Sequence, residues 1–317
     1  MPLWLYPPIF HQLQMEKTGD IMVKKSMGKR LILTLLVSLL MSMTVSGQDN
    51  VDTMSINYRY KQIYGFVTMP DTIYTFEGEF TVPTGFRHPD SSELTKFQNY
   101  VANFPLWHRF APVGSFYGKR MFERQEISRP VHFPYSGPAF IDRAEPIRIL
   151  AEYLHDQKRE FELKVVPNSG DTMTFIKWIV NDITYGPNRT VQFVPGESKD
   201  PSLKEYYTFM RFCLENTTYR SLAFNCDSIT TAEVRPGDLF VAHTDDGKKG
   251  VVFVIMHMIE NMSGEKLYAV ATGCERACDF HIPLFNNDKN NPWISTRQIT
   301  DLGSNFSQKG FLRLKFH

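Results

Sequence analysis

The sequence predicts an α+β fold, with helices packed from the N-terminal half and an antiparallel sheet in the C-terminal half. Two observations predict it. Apolar residues recur at helical spacings of three and four mainly in the earlier part, as at Leu94, Phe97, Val101 and Phe104. Roughly the last hundred residues instead carry short runs of β-branched and aromatic residues set between turns. Helices gathered early and strands late are the segregated order of α+β rather than the alternation of α/β.

Taken in order, residues 48–55 are polar and read as a loose tether. Asn57–Thr68 and Ile73–Val82 are rich in Tyr, Phe, Ile and Thr and are expected as strands, closed by Pro83, Gly85 and Pro89. Asp90 or Ser91 can cap an amphipathic helix running to Phe104, which Pro105 ends. Residues 112–141 read as short strands broken by Gly114, Gly118, Pro130, Pro134, Gly137 and Pro138. A second helix is expected over Ala144–Lys158; Pro146 sits in its first turn, where a missing N–H costs nothing. Phe161–Val166 follows as a strand, Met173–Val180 as a short helix and Leu203–Leu214 as a longer one. Leu239–Ala242, Val251–Ile259, Leu267–Ala271, Phe280–Ile282 and Phe311–Phe316 are the late strands. Alternation in the second of these puts Val251, Phe253, Ile255 and His257 on one face and Val252, Val254, Met256 and Met258 on the other. His257 is then expected as a satisfied buried histidine.

The N-terminus has the order of a secretory signal. Lys24, Lys25, Lys29 and Arg30 form a basic region, and Leu31–Val45 is apolar apart from Thr34, Ser38, Ser42 and Thr44. Small residues at Ser46 and Gly47 suit cleavage after Gly47, giving an exported, periplasmic or secreted protein. The run is shorter than the about 20 apolar residues of a bilayer span, so no transmembrane segment is expected after cleavage. Residues 1–26 lack signal-like order, and Met22 and Met27 stand close to the basic cluster, so translation is expected to start downstream of Met1. The organisation is therefore residues 1–47 as upstream segment and signal, 48–79 as tether and first strands, and 80–317 as one α+β domain. Five basic and two acidic residues leave with the signal, turning the net charge from +1 to about −2. That balance gives no footprint for nucleic acid. Cys213, Cys226, Cys274 and Cys278 permit disulfides in an exported chain, but four cysteines allow three pairings.

Several landmarks then fall in a recognisable order: Phe104-Pro105-Leu106, Arg148-Ile149-Leu150-Ala151-Glu152-Tyr153-Leu154, Asn168-Ser169-Gly170, Trp178, Pro236-Gly237-Asp238-Leu239-Phe240, Gly264-Glu265-Lys266-Leu267 and Asn291-Pro292-Trp293. The chain from about Phe80 to Phe316 resembles the Bacteroidetes family called domain of unknown function 4846. The resemblance implies a layout similar to cysteine hydrolases of the NlpC/P60 and papain-like kind. A cysteine near the start of the helix before A-E-Y-L would gain acidity from the helix dipole. A histidine opening a neighbouring strand would act as base, with a third polar group orienting it.

Transferred residue by residue, that set is altered. The cysteine position falls on Asp142, and the histidine position falls within Gly247-Lys248-Lys249-Gly250. The two polar positions of the later segment fall on Thr272 and Cys278. A carboxylate does not replace a thiolate in acyl transfer, and Lys248 is no imidazole base. The expectation is a degenerate member that binds a cell-wall fragment, a glycan or an envelope protein. An active amidase or peptidase would need another nucleophile, Cys226 or Cys278 with His257 or His281. A third reading is a zinc-stabilised structural domain, because Cys274, Cys278 and His281 have a spacing that wraps one ion, with His243 or His257 as a fourth ligand. No other cofactor is expected: no H-E-x-x-H, G-x-S-x-G, phosphate loop or dinucleotide fingerprint is present. Trp107, Tyr117, Trp178 and Trp293 are expected in the core, or as sugar-stacking surfaces if exposed.

Overall fold

Phe76–Glu79 forms a short helix (α1), and Phe86–Arg87 a short strand (β1). Lys96–Ala102 is α2, followed by the small strands β2 (Val113–Gly114), β3 (Arg120–Phe122) and β4 (Ile127–Pro130). The long helix α3 spans Glu145–Asp156, and β5 (Lys164–Val165) pairs with β6 (Met173–Thr174), which runs into α4 (Phe175–Val180). A hairpin of β7 (Asn181–Tyr185) and β8 (Val191–Pro195) leads to α5 (Leu203–Glu215), α6 (Tyr219–Asn225) and β9 (Cys226–Ile229). The remainder is β10 (Leu239–His243), β11 (Gly250–Asn261), β12 (Lys266–Ala271), β13 (His281–Pro283), α7 (Thr296–Leu302) and β14 (Gln308–Leu314). This computed structural model describes residues 74–107, 113–114, 120–122, 127–131, 141–275, 277–285 and 287–315. The expected signal, tether and Asn57–Thr68 strand lie outside them, as does Tyr117.

The fold is mixed α+β, and its principal sheet is antiparallel throughout. In it β9, β14, β10, β11 and β12 are neighbours in that order, and β1 pairs with the far end of β11. Alternating residues feed two separate cores. Leu239, Val241, Val252 and Val254 join the large core with α2, α3, α5 and α6. Phe240, Ala242, Phe253 and Ile255 join a smaller one with Ile299 of α7. Among the described residues no helix is long and apolar enough to cross a membrane.

Helix α3 is the centre of the large core: every residue from Glu145 to Leu154 is buried. Each large apolar side chain sequestered this way contributes about 1.5–3 kcal/mol. Several polar groups of this helix have partners inside the core. Arg148 lies 3.3 Å from both Glu145 oxygens, and Tyr206 and Tyr207 of α5 donate to the Ala151 carbonyl and the Glu152 carboxylate at 2.7 Å. Phe97 of α2 meets Tyr153 edge-on, ring centres 5.1 Å apart.

Five expectations are corrected. The strand expected over Ile73–Val82 is replaced, within its described residues 74–82, by a helix: Thr75 caps α1 by accepting from the Gly78 amide, and Phe76 is fully buried. The helix expected over Ser91–Phe104 is two pieces, a 3-10 turn at Ser91–Glu93 capped by Asp90 and α2 capped by Thr95, because each cap starts its own helix. Phe161–Val166 and Met173–Val180 are each part helix and part strand, since Lys164–Val165 and Met173–Thr174 pair with each other. In β11 the alternation breaks at a bulge between Ile255 and His257. The bulge turns Met256 and His257 together toward the large core, leaving Ile255 and Met258 to the small one.

The Pro236-Gly237-Asp238 turn that feeds β10 has a structural role. Gly237 has φ +88°, and its amide donates to the Ile255 carbonyl at 2.8 Å. Buried Asp238 accepts a two-pronged hydrogen bond from Arg313 at 2.8 and 2.7 Å. A methyl group at Gly237 would sit 2.7 Å from the Phe97 ring. Gly237→Ala is therefore expected to destabilise the protein by about 1–3 kcal/mol in urea unfolding; an unchanged midpoint would contradict this packing.

Candidate functional site

The corner where the head of α3 meets the start of β11 and the end of β12 brings together two of the transferred positions, Asp142 and Thr272. Asp142 stands three residues ahead of α3, where Ala144 and Glu145 amides donate to the Ile141 carbonyl. Its own amide donates to the Cys274 carbonyl at 3.2 Å, and a methyl group at Gly273 would come within 2.9 Å of that nitrogen. Only glycine allows so close an approach of the two backbones. Thr272, just after β12, donates its hydroxyl to the Val252 carbonyl of β11 at 2.7 Å and pairs through its backbone with His281.

The Asp142 carboxylate is buried and engaged. The Tyr219 hydroxyl donates to its Oδ2 at 2.8 Å and lies 3.1 Å from Oδ1, and the Arg143 amide donates to Oδ1 at 2.7 Å. Burial raises the Asp142 pKa, with the Tyr219 and Arg143 hydrogen bonds pulling the other way. The same desolvation, then the Asp142 charge, raises the Tyr219 phenol. Tyr219 opens α6, which Thr218 caps. Its ring fills the space beside Gly250: a methyl group there would be 2.9 Å from Tyr219 Cδ1 and 2.6 Å from the Ala242 carbonyl oxygen. A side chain opening β11 at Gly250 therefore has no room. Lys248 is in the preceding turn, 83% exposed, paired with Asp246 at 3.6 Å, and takes no part in this corner.

The cysteines are placed as follows. Cys274 and Cys278 are joined by a disulfide, Cα atoms 5.8 Å apart; Cys213 and Cys226 are free and buried. Burial alone raises the Cys213 thiol well above its ordinary value, and burial foremost raises Cys226 to about 12. Neither holds a thiolate near neutral pH. One ligand atom each of Cys274, Cys278 and His281 lies within 4.8 Å of the others, but sulfurs tied in a disulfide are not a thiolate pair for zinc. His257 and His281 are both buried; burial lowers each to about 4, against the hydrogen bonds their rings donate to the Met258 and Asp279 carbonyls. His243 ends β10 with Nδ1 bonded to the Thr244 carbonyl. Trp293 is buried, while Trp178 is half-buried and donates to Glu205.

A family model matches residues 76–311, from α1 to within β14. The chain belongs to the family described as domain of unknown function (4846). The match spans α3, β10, β11 and β12, so the corner around Asp142 lies wholly inside the family domain. No curated protein and no solved structure matches the chain.

Tyr219 was not foreseen as a site residue. Its one signal in the sequence is local: Thr218 and Ser221 form a capping box, with the Thr218 side chain accepting from the Ser221 amide and Ser221 accepting from Thr218. That marks a helix start but not which residue it faces.

His281, paired with Thr272, gives the corner a pH signature. Its ring is neutral in the native state to about pH 4, whereas an unfolded histidine takes a proton near 6.5. Its contribution is therefore present above pH 6.5 and lost as pH falls from 6.5 through 4. His281→Gln should remove up to about 1.4 kcal/mol per pH unit from the slope of stability in that window. Denaturant titrations of both proteins across it would show the difference, and parallel slopes would contradict the assignment.

Proposed function

We propose that this family member is exported and binds cell-envelope material without cleaving it, on a hydrolase-like scaffold whose nucleophile position holds a carboxylate. The observation that carries the reading is the Asp142–Tyr219 hydrogen bond at the head of α3. A thiolate would be expected there, and the place of an imidazole beside it is taken by the Tyr219 ring. The buried free thiols and the Cys274–Cys278 disulfide weigh in the same direction against acyl transfer. Export rests on the basic and apolar order of residues 24–47.

A cleft of about 250 Å³ suits the bound material, and one residue that lines it, Thr218, directly precedes Tyr219 in the chain. Asn168, Ser169, Asn188, Asn216 and Thr218 offer it neutral donors and acceptors, and Arg189 and Glu215 one charge of each sign. Tyr185, half-exposed, adds a ring face for stacking. Such a lining fits a glycan or cell-wall fragment better than an apolar ligand.

The test is to incubate the protein with insoluble purified cell wall at neutral pH. Co-sedimentation that Arg189→Ala weakens, with no soluble fragments released and no fast alkylation of native thiols, is the expected result. Release of fragments, abolished by a thiol reagent that labels Cys226 or Cys278, would overturn the reading in favour of a cysteine amidase or peptidase.

A further inference from the structure

We propose that Glu77, His88 and His257 form a binding site for one divalent transition ion of the zinc class. The inference uses none of the residues around Asp142 and stands apart from the reading above.

Three elements bring the ligands together. Glu77 is in α1, His88 follows β1 directly, and His257 is inside β11. Because β1 runs antiparallel to β11 with Arg87 opposite Glu260, the chain after Arg87 descends beside the middle of β11. The two imidazole rings meet edge to face, centres 4.9 Å apart. One carboxylate oxygen and one nitrogen from each ring lie within 4.8 Å of one another. A filled tetrahedral shell needs about 3.3 Å between ligand atoms, from zinc–nitrogen distances of about 2.0–2.1 Å. Rotation of the exposed Glu77 side chain and a small ring movement close that gap.

Two features separate this cluster from a chance meeting of histidines. His88 Nδ1 is buried and has no hydrogen-bond partner. Leaving such an atom unsatisfied costs about 1–3 kcal/mol, and a metal ion satisfies it. His257 is the mirror case. Its Nδ1 lies 2.9 Å from the Met258 carbonyl, which can only accept, so that nitrogen carries the proton and Nε2 keeps its lone pair. A backbone carbonyl fixing one nitrogen so that the other can ligate is the usual support of a metal-bound imidazole. The bulge between Ile255 and His257 gives the strand a reason for its irregularity: without it His257 would face the other core.

Burial holds both rings neutral near pH 7, the form that ligates, with His257 lowered to about 4. Phe76 and Trp293 wall the site, at ring distances of 5.4 and 5.9 Å from His257. Glu77 leaves the remaining side open to solvent. Two imidazoles and one carboxylate leave coordination positions for water or a ligand, unlike a closed structural site.

Cobalt(II) is the probe, titrated into the full chain purified without a histidine tag. The expected result is one equivalent bound, visible d–d absorption without a thiolate charge-transfer band, quenching of Trp293 fluorescence and displacement by zinc. His88→Asn and Glu77→Gln, both at partly or fully exposed positions, should each weaken binding at least about 10-fold, while thermal melts report that the fold persists. Binding unchanged in both variants, no stoichiometric d–d absorption, or a thiolate band placing the ion on Cys274 and Cys278 would each overturn the site.

Discussion

A phenol buried against a carboxylate ties together the corner where α3, α6 and β11 meet. The Tyr219–Asp142 bond, 2.8 Å long, joins the head of α3 to the head of α6, and the Tyr219 ring carries the link on to Gly250 at the start of β11. Both partners are buried, so neither is replaceable alone: removing the phenol strands a desolvated carboxylate, and removing the carboxylate strands a hydroxyl. The glycines nearby follow from the same constraint. Gly273 lets the Cys274 carbonyl reach the Asp142 amide, and Gly250 leaves the Tyr219 ring its space.

The surrounding architecture is arranged to keep that corner rigid. Helix α3 is buried over ten successive residues, with α5 fastened to it by Tyr206 and Tyr207 and α2 by the Phe97–Tyr153 contact. The sheet beneath is covered on both sides, which is uncommon for an antiparallel sheet and explains why β11 reads as a continuous apolar run. A fixed carboxylate in a dry place is poorly suited to attack a carbonyl. It is well suited to hold neighbouring loops in place, and Thr218, which lines the cleft, adjoins its partner Tyr219 in sequence.

Much of the fold was legible in the sequence. Elements whose own residues bury them were readable from period alone: α3 and α5, and the strands β10, β11, β12 and β14. Where composition and capping disagreed, capping won. Phe76–Glu79 looks β-like, yet Thr75 starts a helix there, and Thr95 restarts α2 after Leu94. The hairpin of β7 and β8, the short helices α6 and α7 and the strand β9 left little periodic signal in so few residues. For the site, the order of motifs brought Asp142 and Thr272 to one corner, but Lys248 points to solvent. Tyr219 was not legible because it meets Asp142 across 77 residues of chain, and nothing local records that partner. Nor does spacing reveal that a bulge re-aims His257 or that Cys274 pairs with Cys278.

The central claim is that Asp142 and Tyr219 act as one buried unit, and a double-mutant cycle measures that directly. Asp142→Asn, Tyr219→Phe and the double variant would be unfolded in urea beside the unaltered protein. The account predicts a coupling energy of about 1–3 kcal/mol between the two substitutions, the double variant losing less than the sum of the singles. Strictly additive losses would contradict it, and would mean that the corner is held by packing in which the carboxylate and the phenol have no shared part.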